Sequence, residues 1–243
     1  MPQTVVKIDN LSKKYSSKSD YAIQNLSFEF NEGEVVGVLG HNGAGKSTTL
    51  KCMTGMLPFD KGEIEICGYS LKTNPIEAKQ NFGFVSDNHA VFERMTGREY
   101  LNFMADIYYV EPNLRDERIQ QFQEIFNLGK SINYIINSYS HGMKQKICLM
   151  GSLIHQPKLW ILDEPLTGLD AKVSMSLRNY ILSYRDLGNT VIFSTHNLDI
   201  VGKVCTRAII ISNGKLIHDV SLADFKKSND ISFEEFALAN IGG

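Results

Sequence analysis

The sequence lacks long apolar runs. None of its apolar stretches approaches the roughly 18 residues that cross a bilayer. Its amino terminus also has no basic segment followed by an apolar one. We therefore expect that no segment of this chain spans a membrane by itself.

Blocks of like charge are also missing. The chain of 243 residues has 25 Lys and Arg residues against 27 Asp and Glu residues, which gives a net charge of -2 at pH 7. Without a basic patch, the electrostatic attraction that drives nucleic-acid binding is absent. We expect no nucleic-acid partner.

The cysteines are few and scattered. They form no CxxC pair, and none has a histidine at the spacing of zinc ligands. We expect structural, reduced thiols of the kind found in a reducing cytosol. The residues are Cys52, Cys67, Cys148 and Cys205.

The composition is that of a globular protein. With 43% hydrophobic and 21% charged residues, the chain is neither disordered, collagenous nor stapled by disulfides. The length favours one large α/β domain over residues 1–243, with a sizeable insertion.

Short apolar segments predict two groups of strands. Three segments with alternating or β-branched patterns predict an antiparallel layer: 4–8, 26–30 and 63–66. Four almost wholly apolar segments predict a central parallel sheet buried on both faces: 35–39, 159–162, 190–194 and 207–211. The segment from about 96 to 153 is helical in pattern and predicts an inserted lobe. The tail, about 218–243, predicts one or two weakly amphipathic helices from residue 221 onwards.

A glycine-rich segment points to phosphate binding. Residues 40–47, Gly-His-Asn-Gly-Ala-Gly-Lys-Ser, fit the pattern GxxxxGK[ST] between an apolar strand and a helix predicted to begin near Lys46. Glycines let backbone N–H groups close around a phosphate at a helix N-terminus. Lys46 is expected to bridge the β- and γ-phosphates, and the Ser47 hydroxyl to ligate Mg²⁺. The predicted nucleotide-binding residues here are Gly40, Asn42, Gly43, Ala44, Gly45, Lys46, Ser47 and Thr48.

A second motif supplies carboxylates. Residues 159–165, Leu-Trp-Ile-Leu-Asp-Glu-Pro, form an apolar strand that ends in two acids. Asp163 is expected to hold the metal through water, and Glu164 to act as a general base on the attacking water. Alone, such a segment is more often a solvated acidic turn. After the phosphate loop it predicts a magnesium-dependent NTPase.

With these motifs in place, the sequence resembles the nucleotide-binding subunit of ATP-binding cassette (ABC) transporters over about residues 4–217. The family's LSGGQ signature is similar to Tyr-Ser-His-Gly-Met at 139–143, in which Ser140 and Gly142 match strictly. This form of the signature, followed by Lys144, resembles the Y/L-S-x-G-M-K segments of ABC-2-type exporters. An ordinary helix cap is the alternative for this segment.

The resemblance implies roles for four further residues. Tyr15 stands where an aromatic side chain stacks on adenine, and His196 where a switch histidine contacts the γ-phosphate. Asp170 follows Leu169 in a segment like the D-loop of the dimer interface, with a helix N-cap as the alternative. Asp87 stands where the family usually has the Q-loop glutamine and is the predicted metal ligand there. Its carboxylate only accepts hydrogen bonds, whereas the amide of glutamine also donates them. The alternative for Asp87 is a solvated loop residue.

The resemblance also implies an assembly and a mechanism. The expected fold is an α/β P-loop NTPase of the ABC ATPase type, with a mostly parallel central sheet, an antiparallel β subdomain and an inserted helical subdomain. Two such subunits, in a homodimer or heterodimer, would close around ATP and Mg²⁺, with Lys46, Glu164 and His196 as the catalytic residues. Separate transmembrane permease subunits are the expected partners, at the cytoplasmic face of the membrane, with segment 89–99 docking on them.

Export of an unknown substrate is the favoured activity. An importer subunit and a soluble ABC ATPase not coupled to transport remain alternatives. A phosphate-loop kinase is disfavoured, because the adjacent acids Asp163 and Glu164 suit water activation and no substrate-lid arginine cluster is visible.

Overall fold

The computed structural model describes residues 3–16, 20–88, 92–228 and 230–241. Its strands are β1 Thr4–Lys14, β2 Tyr21–Asn31, β3 Val35–Leu39, β4 Lys61–Ile66, β5 Tyr69–Ser70, β6 Phe82–Val85, β7 Leu159–Asp163, β8 Thr190–Ser194, β9 Arg207–Ser212 and β10 Lys215–Ser221. Its α-helices are α1 Lys46–Met53, α2 Pro75–Gln80, α3 Gly97–Ile107, α4 Pro112–Phe126, α5 His141–Leu153, α6 Ala171–Asp186, α7 Leu198–Val204, α8 Leu222–Ser228 and α9 Phe233–Ile241.

The strands form two sheets. One is antiparallel, with the order β2-β1-β4-β5. The other has the order β10-β9-β3-β8-β7-β6, and all its pairings are parallel except that of β10 with β9. The predicted antiparallel layer and central parallel sheet are both confirmed. Strands β6 and β10 extend the central sheet at its two edges and were not predicted.

The central sheet is buried on both faces, as its apolar strands require. Because side chains alternate along a strand, β7 sends Trp160 and Leu162 into the core under the helices and Leu159 and Ile161 into the core under the antiparallel sheet. Because both faces of the sheet are covered, all five residues of β7 are buried.

The predicted helical lobe consists of α3, α4 and α5. The capping box expected at the start of α3 is present, because Glu99 N–H donates to Thr96 Oγ1 at 3.2 Å and Thr96 N–H donates to Glu99 Oε2 at 2.8 Å. An aromatic cluster joins the lobe to the sheet: Trp160 contacts Tyr180 edge-on, and Tyr180 contacts Phe122 and Phe126 of α4.

The carboxyl-terminal helices α8 and α9 follow β10. Phe233, Phe236 and Ala237 pack with Val201 of α7 and Ile210 of β9, so these helices cover one side of the central sheet. All four cysteines of the chain are free thiols. Among the described residues, no helix has the length and apolar character needed to cross a bilayer.

The topology brings the predicted motifs to one edge. Strands β3, β6, β7 and β8 are parallel, so their carboxyl ends meet at the same edge of the sheet. Ligands of open α/β sheets bind at this edge.

Candidate functional site

The phosphate loop connects β3 to α1. Gly43 and Gly45 adopt the left-handed region, with φ of 84° and 111°. At Gly40 a side chain is excluded by packing, because a Cβ atom would lie 2.3 Å from the carbonyl oxygen of Ile211. The loop therefore needs glycine at these positions for backbone conformation and for close approach.

Lys46, the first residue of α1, is buried at the centre of this loop. Its Nζ donates to the carbonyls of Gly40 at 2.8 Å and His41 at 3.2 Å. Burial lowers the pKa of Lys46, and the negative charges of Glu164 and Asp163 oppose that lowering. Carbonyl oxygens of the loop thus bind the Lys46 ammonium group at the place where phosphate oxygens are expected.

Asp163 lies at the end of β7 and is only 1% exposed. Its Oδ1 accepts hydrogen bonds from Ser47 Oγ at 2.9 Å and Ser194 Oγ at 2.6 Å. Its Oδ2 is buried without a hydrogen-bond partner among the described residues. A buried carboxylate oxygen left unpaired is costly, and a hard cation such as Mg²⁺ prefers such oxygen ligands. Ser47 and Asp163 therefore fit a divalent cation.

Glu164 follows in a left-handed conformation, with φ of 50°. This is uncommon for a residue with a side chain and is characteristic of functional sites. The conformation is held by its backbone N–H, which donates to Ser194 Oγ at 2.9 Å. Its carboxylate lies 3.2 Å (Oε1) and 3.1 Å (Oε2) from Nδ1 of His196. The predicted base and switch histidine are therefore in contact.

Most of the predicted nucleotide-binding residues line one groove of about 370 Å³. Tyr15 lies at one end, 66% exposed, and its hydroxyl hydrogen-bonds the Thr48 hydroxyl at 3.0 Å. The residues that line the groove are Tyr15, Ala22, Asn42, Gly43, Gly45, Lys46, Ser47, Thr48, Asp87 and Glu164.

Asp87 follows β6 and also lines the groove. Its Oδ1 accepts from Ser86 Oγ at 2.8 Å and forms an ion pair with Lys51 Nζ at 3.2 Å. Partial burial would raise the pKa of Asp87, but the hydrogen bonds from Ser86 and Lys51 and the charge of Lys51 lower it below its usual value. The carboxylate is therefore an anion with its own counter-charge.

The predicted signature and D-loop residues are not among the described residues that line this groove. Ser140 caps α5 by accepting from Met143 N–H at 3.3 Å, and Asp170 caps α6 by accepting from Val173 N–H at 2.9 Å. Both side chains therefore cap helices within the single chain. Gly142 packs closely, since a Cβ atom there would lie 3.2 Å from the carbonyl oxygen of Gly168.

Two residues of the site had no predicted role. Ser194 bonds to both acids, and its signal in the sequence is a polar residue at the end of a buried apolar strand. Lys51 pairs with Asp87 over a separation of 36 residues, for which the sequence has no local signal. Of the predicted docking segment 89–99, residues 89–91 lie outside the described residues. Its Glu93 forms an ion pair with Lys144 of α5 at 2.6 Å.

Comparison with known proteins gives a consistent result. The sequence model of the ABC transporter family matches residues 23–167. The SkfA peptide export ATP-binding protein SkfE of Bacillus subtilis (strain 168) is 33% identical over 225 residues, which cover 92% of this chain and 92% of the relative. A solved structure of the ATP-binding subunit of an ABC transporter has a TM-score of 0.91 at 27% identity, covering 97% of this chain and 98% of the other. A dimeric ATP-binding cassette in a post-hydrolysis state with ADP and Pi shares the fold, with a TM-score of 0.82 at 23% identity over 89% of this chain and 98% of the other. The expected fold class is confirmed.

Proposed function

The chain belongs to the ABC transporter family of ATPases, and we propose that it is the ATP-hydrolysing subunit of an exporter with separate transmembrane permease subunits. The observation that carries this proposal is the groove in which Lys46, Ser47 and Glu164 meet at the carboxyl edge of the parallel sheet. Export is supported by the similarity to SkfE, a peptide export ATP-binding protein, and by the ABC-2-like residues Met143 and Lys144.

ATP binding would replace contacts that the loop now makes with itself. Lys46 would leave the carbonyls of Gly40 and His41 and donate to the β- and γ-phosphate oxygens. Backbone N–H groups of the loop and of the first turn of α1 would surround the phosphates. Tyr15, which is largely exposed and held near Thr48, would stack on the adenine ring.

Ser47 and Asp163 are the residues that would hold Mg²⁺, Asp163 through water, with Asp87, which also lines the groove, as a further ligand. When bound, the ion would neutralise charge on the phosphate oxygens. The buried Oδ2 of Asp163 would then have a partner.

Glu164 would act as the general base. Its carboxylate would take a proton from a water molecule as the water oxygen bonds to the γ-phosphorus and the bond from that phosphorus to the bridging oxygen breaks. The products are ADP and inorganic phosphate. His196 now contacts both oxygens of the Glu164 carboxylate, which orients it, and would contact the γ-phosphate in the loaded site.

The signature residues support a role between subunits. Ser140 and Gly142 lie at the N-terminus of α5 and are not among the described residues that line the groove of their own chain. We infer that they face the phosphate loop of a second subunit, in a homodimer or heterodimer, with Asp170 along the interface. Driving such a closure from 1:99 to 99:1 needs about 5.5 kcal/mol, and charge-assisted hydrogen bonds contribute about 1.5–3 kcal/mol each. A few γ-phosphate contacts per site are sufficient.

Coupling to the permease would run through the docking segment. Its described part is tied to the signature helix, because Glu93 pairs with Lys144. A displacement of that segment by the permease would therefore act on α5. The proposed location is the cytoplasmic face of the membrane, where ATP is available.

Co-purification tests this function. The full chain, tagged and recovered from detergent-solubilised membranes of its source, should bring down a membrane protein with several spanning segments. The variant Glu164→Gln is the matched control, since loss of hydrolysis should not remove the partner. Recovery only in the soluble fraction would favour the uncoupled ABC ATPase. Joint recovery with an extracytoplasmic solute-binding protein would favour the importer.

A further inference from the structure

The residues that line the nucleotide groove carry more negative than positive charges. Its lining includes one lysine, Lys46, and two carboxylates, Asp87 and Glu164. A polyphosphate entering this groove meets two carboxylates of like charge. Like charges at short distance repel more strongly in a partly enclosed site than in water. Each carboxylate therefore needs a compensating group.

Both carboxylates have a polar partner in the structure, and the partner of Asp87 is a cation. Glu164 is contacted by His196, which is already part of the proposed machinery. Asp87 is contacted by Lys51 at 3.2 Å, and the same oxygen accepts from Ser86 at 2.8 Å. Lys51 has no role in the function proposed above.

Lys51 sits on the same helix as Lys46. The two residues are five positions apart on α1, which corresponds to about 7.5 Å along the axis and about 140° around it. Lys46 therefore lines the groove, while Lys51 projects from another side of the helix and contacts Asp87. Lys51 is not among the described residues that line the groove, so its influence on a nucleotide passes through Asp87.

We propose that Lys51 is a positioning residue of the nucleotide site, which holds the Asp87 carboxylate against the groove wall and supplies its counter-charge while no divalent cation is bound. This inference rests on the proposed function. It predicts that the ion pair allows metal-free ATP to enter the groove. It also predicts that Lys51 matters less when Mg²⁺ accompanies the nucleotide, since positive charge then faces Asp87 from the other side.

A double-mutant cycle tests the proposal. ATP affinity of the full chain is measured by calorimetry in EDTA and again in Mg²⁺, for wild type, Lys51→Met, Asp87→Asn and the double variant. Methionine keeps the length and helix preference of the side chain, and asparagine keeps the shape of Asp87. In EDTA, Lys51→Met should weaken ATP binding about tenfold, because an unneutralised carboxylate then faces the phosphates.

In the Asp87→Asn background, Lys51→Met should change the ATP affinity in EDTA less than about twofold. The difference between its effects in the two backgrounds measures the coupling of the two contacting residues. With Mg²⁺ present, Lys51→Met should weaken binding less than about threefold. Lys51→Arg, which keeps the charge, should restore binding in EDTA to within about twofold of wild type. Thermal unfolding of every variant shows whether a loss of affinity is a loss of folding.

Two results would overturn the proposal. An equal loss of affinity in the wild-type and Asp87→Asn backgrounds would mean that Lys51 acts on α1 or directly on the phosphates. Unchanged affinity in Lys51→Met, folded and in EDTA, would mean that the pair is an ordinary surface contact. The proposed function fails by a different result, namely a folded wild-type chain that binds no ATP with Mg²⁺.

Discussion

Ser194 donates a 2.6 Å hydrogen bond to the carboxylate of Asp163. The two residues are opposite each other in the register of β7 and β8. The same hydroxyl oxygen accepts from the backbone N–H of Glu164 at 2.9 Å. One small side chain on the neighbouring strand thus contacts both Asp163, the proposed metal-binding acid, and Glu164, the proposed base.

Replacing this hydroxyl should impair hydrolysis more than binding. Ser194→Ala removes the acceptor of the Glu164 backbone N–H and one donor to Asp163. Because hydrogen bonds to charged groups contribute about 1.5–3 kcal/mol, we expect kcat to fall about tenfold to a hundredfold. Steady-state ATPase assays and ATP titrations measure the two effects. Ser183→Ala, on an exposed face of α6, is the control. A loss of ATP affinity with unchanged kcat would contradict the positioning role.

Removing the base should separate binding from turnover. Glu164→Gln keeps the shape of the side chain but cannot take a proton at neutral pH, so hydrolysis should become undetectable while ATP still binds. ATP should then trap a dimer, which size-exclusion chromatography with ATP detects. Glu111→Gln, an exposed acid of the helical lobe, should behave as wild type. Retained turnover together with a monomer in ATP would refute the role of Glu164 and the closure of two subunits.

Removing the loop lysine should affect binding itself. Lys46→Ala deletes the ammonium group that the carbonyls of Gly40 and His41 hold in place. Since charge-assisted bonds to phosphate are among the strongest, ATP affinity should fall at least about tenfold. Calorimetry measures this, with Lys130→Ala on the surface of the lobe as the control. Equal affinity in Lys46→Ala would exclude the phosphate-loop assignment.

His155 should make the fold sensitive to acid. Its ring stacks on Tyr108 at 3.6 Å, and its Nε2 lies 3.2 Å from the carbonyl oxygen of Phe82. Burial lowers the pKa of His155 to about 4; the bond to Phe82 opposes this lowering, and the charge of Arg118 adds to it. The unfolded chain, with a histidine pKa of about 6.5, therefore binds a proton that the folded chain does not.

The free energy of unfolding should accordingly fall as the pH decreases from about 6.5 to about 4, by up to about 1.4 kcal/mol per pH unit from this residue. His155→Phe keeps the stacking on Tyr108 and removes the titration. Denaturant unfolding at several pH values should give a flatter dependence for this variant. It should also be less stable at pH 7, because the hydrogen bond between the ring and the carbonyl of Phe82 is lost. An identical slope in both proteins would show that His155 does not set the acid sensitivity.

The sequence was sufficient to predict the central sheet and the groove, because both depend on local patterns. The almost wholly apolar strands β3, β7 and β8 are typical of strands buried on both faces. The phosphate loop and the two acids follow such strands directly. Parallel pairing then brings them to one edge.

The two edge strands of the central sheet were harder to predict from the sequence. Strand β6 has four residues and includes Gly83, which weakens its pattern. Strand β10 alternates exposed and half-buried residues, as an edge strand does. The ion pair of Lys51 with Asp87 and the bonds of Ser194 join distant segments, so they depend on tertiary packing that no local pattern reports.

The aromatic cluster around Trp160 gives the chain an optical property. Trp160 is the one tryptophan of the sequence, it lies three residues before Asp163 on β7, and its ring is 5.9 Å from those of Tyr180 and Tyr184. Tyr180 in turn contacts Phe122 and Phe126 in the helical lobe. A rotation of the lobe against the sheet should shift these two phenylalanines and so change the surroundings of the indole. We therefore expect the native fluorescence to report movement of the lobe without an attached dye.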